Sequence, residues 1–344
     1  MIKPIQDKDK KSLIGRTLLK TYPSPDGEDE RHFVKDIHKL SIYGMPFLIE
    51  SLPFQTQDLA VGACASTACW MCQYPLSQMF GIEKNSLYEV TSKSVTFPNA
   101  QSDRNFPSEG LSLIQIKNYF NTIGLESESI KFDSNPDLTS DMVSVAVRAY
   151  LNMNLPIIAA LELQKNSGRN DYHAVVITGY RYSQGKITEL YVHDDQIGPY
   201  SRVTPKNYSF TDSFTSWKNE WTSKRNYNEV ILLSLIIPIY PKVRMKFGKI
   251  YSTYLEAKES LPNYLEQYDN QVEPEILLYT LNKYKKEIWN DKFENKKEIL
   301  MKPFPKYMWI IRYKDNRYPY LDIIYDATMV CPSEKFSIIK YIRE

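Results

Sequence analysis

The chain has 344 residues, 42% of them apolar, enough to bury a core in one large domain or two ordinary ones. Its formal net charge is +2 with both signs interspersed, so no nucleic acid and no anionic membrane surface is expected as a partner. The opening MIKPIQDKDKK lacks the apolar stretch of a signal peptide, and the longest apolar run, VILLSLIIPI from Val230 to Ile239, is too short for a span of roughly 20 residues, so a cytoplasmic protein is expected.

The residues divide into three parts: an N-terminal accessory segment (1–53), a core (54–240) and a C-terminal α+β accessory domain (241–344). In the first, TYPSPDGEDE (21–30) is turn-rich and reads as an exposed loop, while HFVKDIHKLSIYGMPFLIESLPF carries short apolar clusters compatible with a helix or with strands. In the core, ACASTACWMCQY predicts a helix stopped by Pro75, PSEGLSLIQIKNYFNTIGL (107–125) a second with Gly124 at its C-terminal cap, and SDMVSVAVRAYLNMN (140–154) a third. The period then changes: PIIAALEL (156–163), HAVVITGYRY (173–182), ITELYVHD (187–194) and VILLSLIIPIY (230–240) read as strands. Helices followed by strands make an α+β order rather than an alternating one. Beyond Pro241, YSTYLEAKESLPNYLEQY and PEILLYTLNKYKKEIW read as helices, and KYMWIIRYK and YLDIIYDAT as strands.

The stretch GACASTACWMC (62–72) holds three of the four cysteines. Four cysteines in a chain this long do not make a disulfide framework. Cys69 and Cys72 have CxxC spacing, but structural zinc needs a second ligand pair, and Cys331 stands alone while the histidines are scattered at 32, 38, 173 and 193; no metal is expected. A redox CxxC opens its helix, whereas Cys69 lies more than a turn inside. Cys64 falls at the helix start, where orphan amides and the positive end of the dipole favour a thiolate. Cys69 and Cys72 share one helix face and read as packing residues.

A cysteine nucleophile needs a base and a group to orient it. His173 opens one β-run and His193 ends the next, with SQGK (183–186) as the turn between. A two- or four-residue loop centred on 184–185 pairs positions whose numbers sum to 369. That register puts His173 and Asp194 on one face, a diagonal step apart, and His193 with Asp195 on the other; an odd loop or a bulge exchanges Asp194 for Asp195. A side-chain donor upstream of the nucleophile would stabilise an oxyanion, with Gln57 favoured over Gln55.

Gln57, GACASTACWM, FPSEGLSLIQIKNYFNTIGL, YHAVVITGY and VHDDQIGPY together resemble the papain-like cysteine peptidases, nearest to the type that cleaves double-glycine leaders from bacteriocin precursors and its free-standing relatives. The resemblance spans about residues 54 to 205 and implies a nucleophile helix packed on an antiparallel sheet. It also implies Cys64 as nucleophile, His173 as general base, Asp194 as orienter and Gln57 as oxyanion donor. Ala65 stands where the family has Gly, Asp195 where it has Pro, and the Gln-to-Cys gap is about one residue longer. A papain alignment on Cys69-Trp70 would put Ala63 where the family has its Gln.

The expectation is a cofactor-free cysteine peptidase acting on a peptide or protein. Transglutaminase- or deamidase-type acyl transfer on the same fold is an alternative, as is a non-catalytic peptide-binding module whose residues 241–344 contact a protein partner.

Overall fold

The computed structural model describes residues 2–6, 12–24, 29–56, 64–96, 110–132, 141–166, 168–183, 185–206, 214–259, 272–314, 318–330 and 335–342. The architecture is α+β with antiparallel sheets, in two compact units: residues 1–147 with 154–240, and residues 148–153 with 241–344. Among the described residues no helix is long and apolar enough to cross a membrane.

The first unit begins with two antiparallel pairs. Strands β1 (Ile2–Gln6) and β2 (Ser12–Thr17) form one. The segment that sequence left between helix and strand is β-structure: β3 (Glu30–Phe33), then a hairpin of β4 (Asp36–Ile42) and β5 (Met45–Ser51). Its two-residue turn, Tyr43-Gly44, has positive φ at both positions (49° and 81°), the conformation that matches the twist of the flanking strands.

The main sheet contains β6 (Glu126–Lys131), β7 (Ile157–Gln164), β8 (Asp171–Ser183), β9 (Lys186–Asp194), β10 (Gly198–Pro205), β11 (Ser216–Lys218) and β12 (Glu229–Ile239), with β3 on β8. The order is β11-β10-β9-β8-β7-β12-β6, and the three-residue β11 also pairs with β12, so six strands close on themselves. Strands β6 and β10 carry no apolar run and escaped the sequence reading. Gly179 in β8 lies under β3, where a Cβ would run into the His32 carbonyl and the Phe33 ring.

The β8–β9 register positions the site. Val176 faces His193 and Ile177 faces Val192, numbers that sum to 369, as they do at Tyr182–Ile187 and Ser183–Lys186. Between Ile177 and Gly179 the ladder slips by one, and between Arg181 and Tyr182 it slips back. Two single-residue bulges on opposite strands cancel, so side-chain facing at the far end is unchanged.

Helix α1 runs Cys64–Phe80, packs on β8 and β7, and buries Ala65, Ala68, Cys69, Cys72 and Leu76. It passes through Pro75 instead of stopping there. A proline removes one backbone hydrogen bond, and the burial of Pro75 and Leu76 offsets that loss. Gly81, at φ +70°, ends the helix by donating its amide to Ser77 O at 2.9 Å. Helix α2 (Leu87–Ser94) follows. Helix α3 is Leu113–Thr122, shorter than the 107–125 expected, because a capping box between Ser112 and Gln115 sets its start. Gly124 (φ +84°) follows its end. Helix α4 is Met142–Asn152 and α5 is Glu220–Lys224.

In the second unit, β13 (Glu273–Thr280), β14 (Tyr307–Lys314), β15 (Pro319–Asp326) and β16 (Ser337–Lys340) form a four-stranded sheet in chain order. Residues 274–280 are expected from sequence to be helical. They are an edge strand paired with β14 along their whole length, and an edge tolerates Pro274. Thr280 then caps α7 (Leu281–Asn290) through Lys283 N. Leu277, Tyr279, Met308, Ile310, Ile324 and Ile339 face α7 and α8 (Lys296–Met301). Trp309 lies on the opposite face, against Tyr150 and against Phe247 of α6 (Phe247–Glu259).

Candidate active site

Cys64 is the first residue of α1 and is half-buried. Its amide is therefore one of those a helix start leaves without an internal acceptor, and the positive end of the dipole faces its side chain. His173 lies on β8, opposite Leu161 of β7, on the face that shares α1. Its ring is buried, and Cys64 lies near enough to favour its charged form.

Asp194 is the last residue of β9, and its Oδ1 lies 3.0 Å from His173 Nε2. His173 thus interacts with Asp194 and with Cys64. The strand ends at Asp194, and the following turn uses its carboxylate: Gln196 N and Ile197 N donate to Oδ1 at 3.0 and 3.2 Å. The other oxygen, Oδ2, accepts from Trp221 Nε1 at 2.7 Å. Burial would push the Asp194 carboxyl up, but the His173 charge and the bonds from His173, Trp221 and Gln196 outweigh it and hold the group below its ordinary value. For His173, burial opposes the charge, while Asp194 and then Cys64 favour it; the net direction is well upward.

Trp221, on the short α5, was missed from sequence. Its ring stands edge-on to His173, with centroids 5.1 Å apart, and Arg225 lies over its face at 4.6 Å. Nothing in its spacing marks it, because α5 reaches the site from 27 residues beyond Asp194.

The remaining expected residues divide. Gln57 lies outside the described residues, as do Gly62 and Cys331. The Gln55 side chain is engaged elsewhere: Oε1 accepts from Arg16 Nε at 3.0 Å and Nε2 donates to Thr56 O at 3.1 Å. Cys69 and Cys72 are fully buried, and burial pushes both thiols far up. His193 points to the opposite face, between the rings of Phe54 and Tyr200 at 5.5 and 4.5 Å, and burial pushes it down to about 3. Asp195 does not stay on that face. The turn at 195–197 swings it back until its Oδ1 is 3.6 Å from His173 Nε2.

His173, Asp194 and Asp195 each bring a ligand atom to within 4.8 Å of the others. His173 Nε2 and Asp194 Oδ1 are already bonded to one another, so the proton between them accounts for two of the three without an ion. Chemically, a thiol, an imidazole and a carboxylate in series suit nucleophilic attack on an acyl carbon. No protein-family model matches the chain, and a search of curated proteins gives no match to it.

Proposed function

We propose that the chain is a cysteine peptidase with a papain-like core, in which α1 is the nucleophile helix and the closed antiparallel sheet carries the base and its orienter. One observation supports this above the others: the buried Asp194 carboxylate holds His173 Nε2 at 3.0 Å, and Cys64 at the start of α1 acts on the same imidazole. With Nε2 on Asp194, Nδ1 is the ring nitrogen left for sulfur. The thiolate adds to the peptide carbonyl carbon, and the C–N bond breaks as His173 gives its proton to the departing amine. His173 then takes a proton from water, whose oxygen displaces the sulfur and releases the acid. The Cys64 amide at the helix start is one oxyanion donor, and Gln57 is proposed as the other.

The test is cleavage of a mixed peptide library, with products read by mass. Cys64→Ala should abolish product and Cys69→Ala should retain it; full hydrolysis by Cys64→Ala would sink the assignment. Adding a primary amine separates acceptors, since hydrolysis adds the mass of water and acyl transfer adds that of the amine.

A further inference from the structure

Two carboxyls converge on one imidazole nitrogen. Asp194 Oδ1 takes the hydrogen bond at 3.0 Å, while Asp195 Oδ1 stands off at 3.6 Å. Asp194 is braced by Trp221 Nε1 and two turn amides. Asp195 is equally buried, yet among the described residues neither of its oxygens accepts a hydrogen bond. A buried carboxyl without donors is costly, and such groups concentrate where a site uses them. We infer that Asp195 is a positioning residue for His173, a second carboxyl at Nε2 that holds the imidazolium charged as the pH rises past neutrality.

This rests on the Cys64–His173 reading and adds a gate to it. The charged and titratable groups facing Asp195 are His173 on β8, Asp194 on β9 and Arg225 just after α5, with Cys64 on α1 acting through His173. Burial pushes the Asp195 carboxyl up to about 7; Asp194 adds to that rise, and His173 and Arg225 oppose it. Below neutrality Asp195 is protonated, and His173 feels one carboxylate. Above it Asp195 is ionised, and two negative charges face Nε2. The imidazolium then keeps its proton to higher pH than Asp194 alone would allow. The titrations are coupled, so each apparent midpoint belongs to the cluster.

The experiment follows the ring nitrogens of His173 by NMR in the full chain labelled with 15N-histidine, assigned by loss of its signals in His173→Gln. In the wild type, the His173 shifts should show an inflection near neutrality, as Asp195 ionises, before the imidazolium itself titrates. Asp195→Asn should erase that inflection and weaken the proton affinity of His173 about tenfold. A variant curve superimposed on the wild type overturns the inference. If the variant does not fold, the wild-type curve decides: no inflection near neutrality overturns it equally. The peptidase reading fails separately, if iodoacetamide alkylates Cys64 no faster in the wild type than in His173→Gln.

Discussion

The Trp221 indole donates a 2.7 Å hydrogen bond to Asp194 Oδ2 while its edge rests against the His173 ring. One side chain thus fixes the carboxylate bonded to His173 and packs against the imidazole. Trp221→Phe keeps the ring and removes the donor. A lost charge-assisted bond of about 1.5–3 kcal/mol should slow Cys64 alkylation at neutral pH about tenfold or more, with the fold retained by circular dichroism. A rate equal to wild type would mean that the turn amides suffice to hold Asp194.

The three described cysteines should separate cleanly under iodoacetamide. Cys69 and Cys72 are fully buried with thiols pushed far up, while Cys64 is half-buried and acts on His173. Peptide mapping should find Cys64 modified first, and Cys69 and Cys72 only after denaturant is added. Cys69→Ala should leave that labelling intact and cost about 1 kcal/mol of stability, the loss of one small core group.

The two buried histidines of the β8–β9 hairpin should give opposite pH dependences. His193 is pushed from 6.5 down to about 3, so below 6.5 the unfolded chain takes a proton that the folded chain refuses, and stability falls as the pH drops through that window. His173 is raised, so its contribution is complete below its unfolded value and is lost as the pH climbs through its folded value. Urea unfolding of His193→Phe should show an acid slope shallower than wild type by up to about 1.4 kcal/mol per pH unit. Parallel curves would place the acid sensitivity elsewhere.

In the second unit, Arg312 on β14 is buried and bidentate to Asp322 on β15, at 2.8 and 2.9 Å, with Glu287 of α7 at 2.5 Å from its third nitrogen. Asp322 also accepts from the Tyr341 hydroxyl. Asp322→Asn should destabilise by roughly 3 kcal/mol in chemical denaturation, because it leaves the buried guanidinium with Glu287 as its one carboxylate partner. The triple variant Arg312→Met, Asp322→Leu, Glu287→Gln, which leaves no member of the cluster charged, should recover most of that loss; a triple variant as unstable as the single one would show that the cluster also specifies the packing.

Patterns that depend on neighbours in the chain were legible in the sequence. The small-residue run beginning at Cys64 is helical, the β-branched runs around His173 and His193 are strands, and a short turn between them sets a register that places His173 and Asp194 on one face. That reading survived two bulges only because they cancel. Helix limits were less legible at Pro75 and Ser112, where burial and a capping box set the ends. The strand at Glu273–Thr280 read as helix because its apolar run, ILLY, fits either period until β14 pairs with it. Tertiary structure alone decided what lies behind the imidazole. Trp221 reaches Asp194 from a distant short helix, and Asp195 abandons its alternating face because the strand ends one residue earlier and the chain turns. Local periodicity carries direction along a strand; it carries nothing across a turn or between elements far apart in the chain. So the meeting of His173 with Asp194 could be read from sequence, and the place of Asp195 and of the Trp221 indole beside them could not.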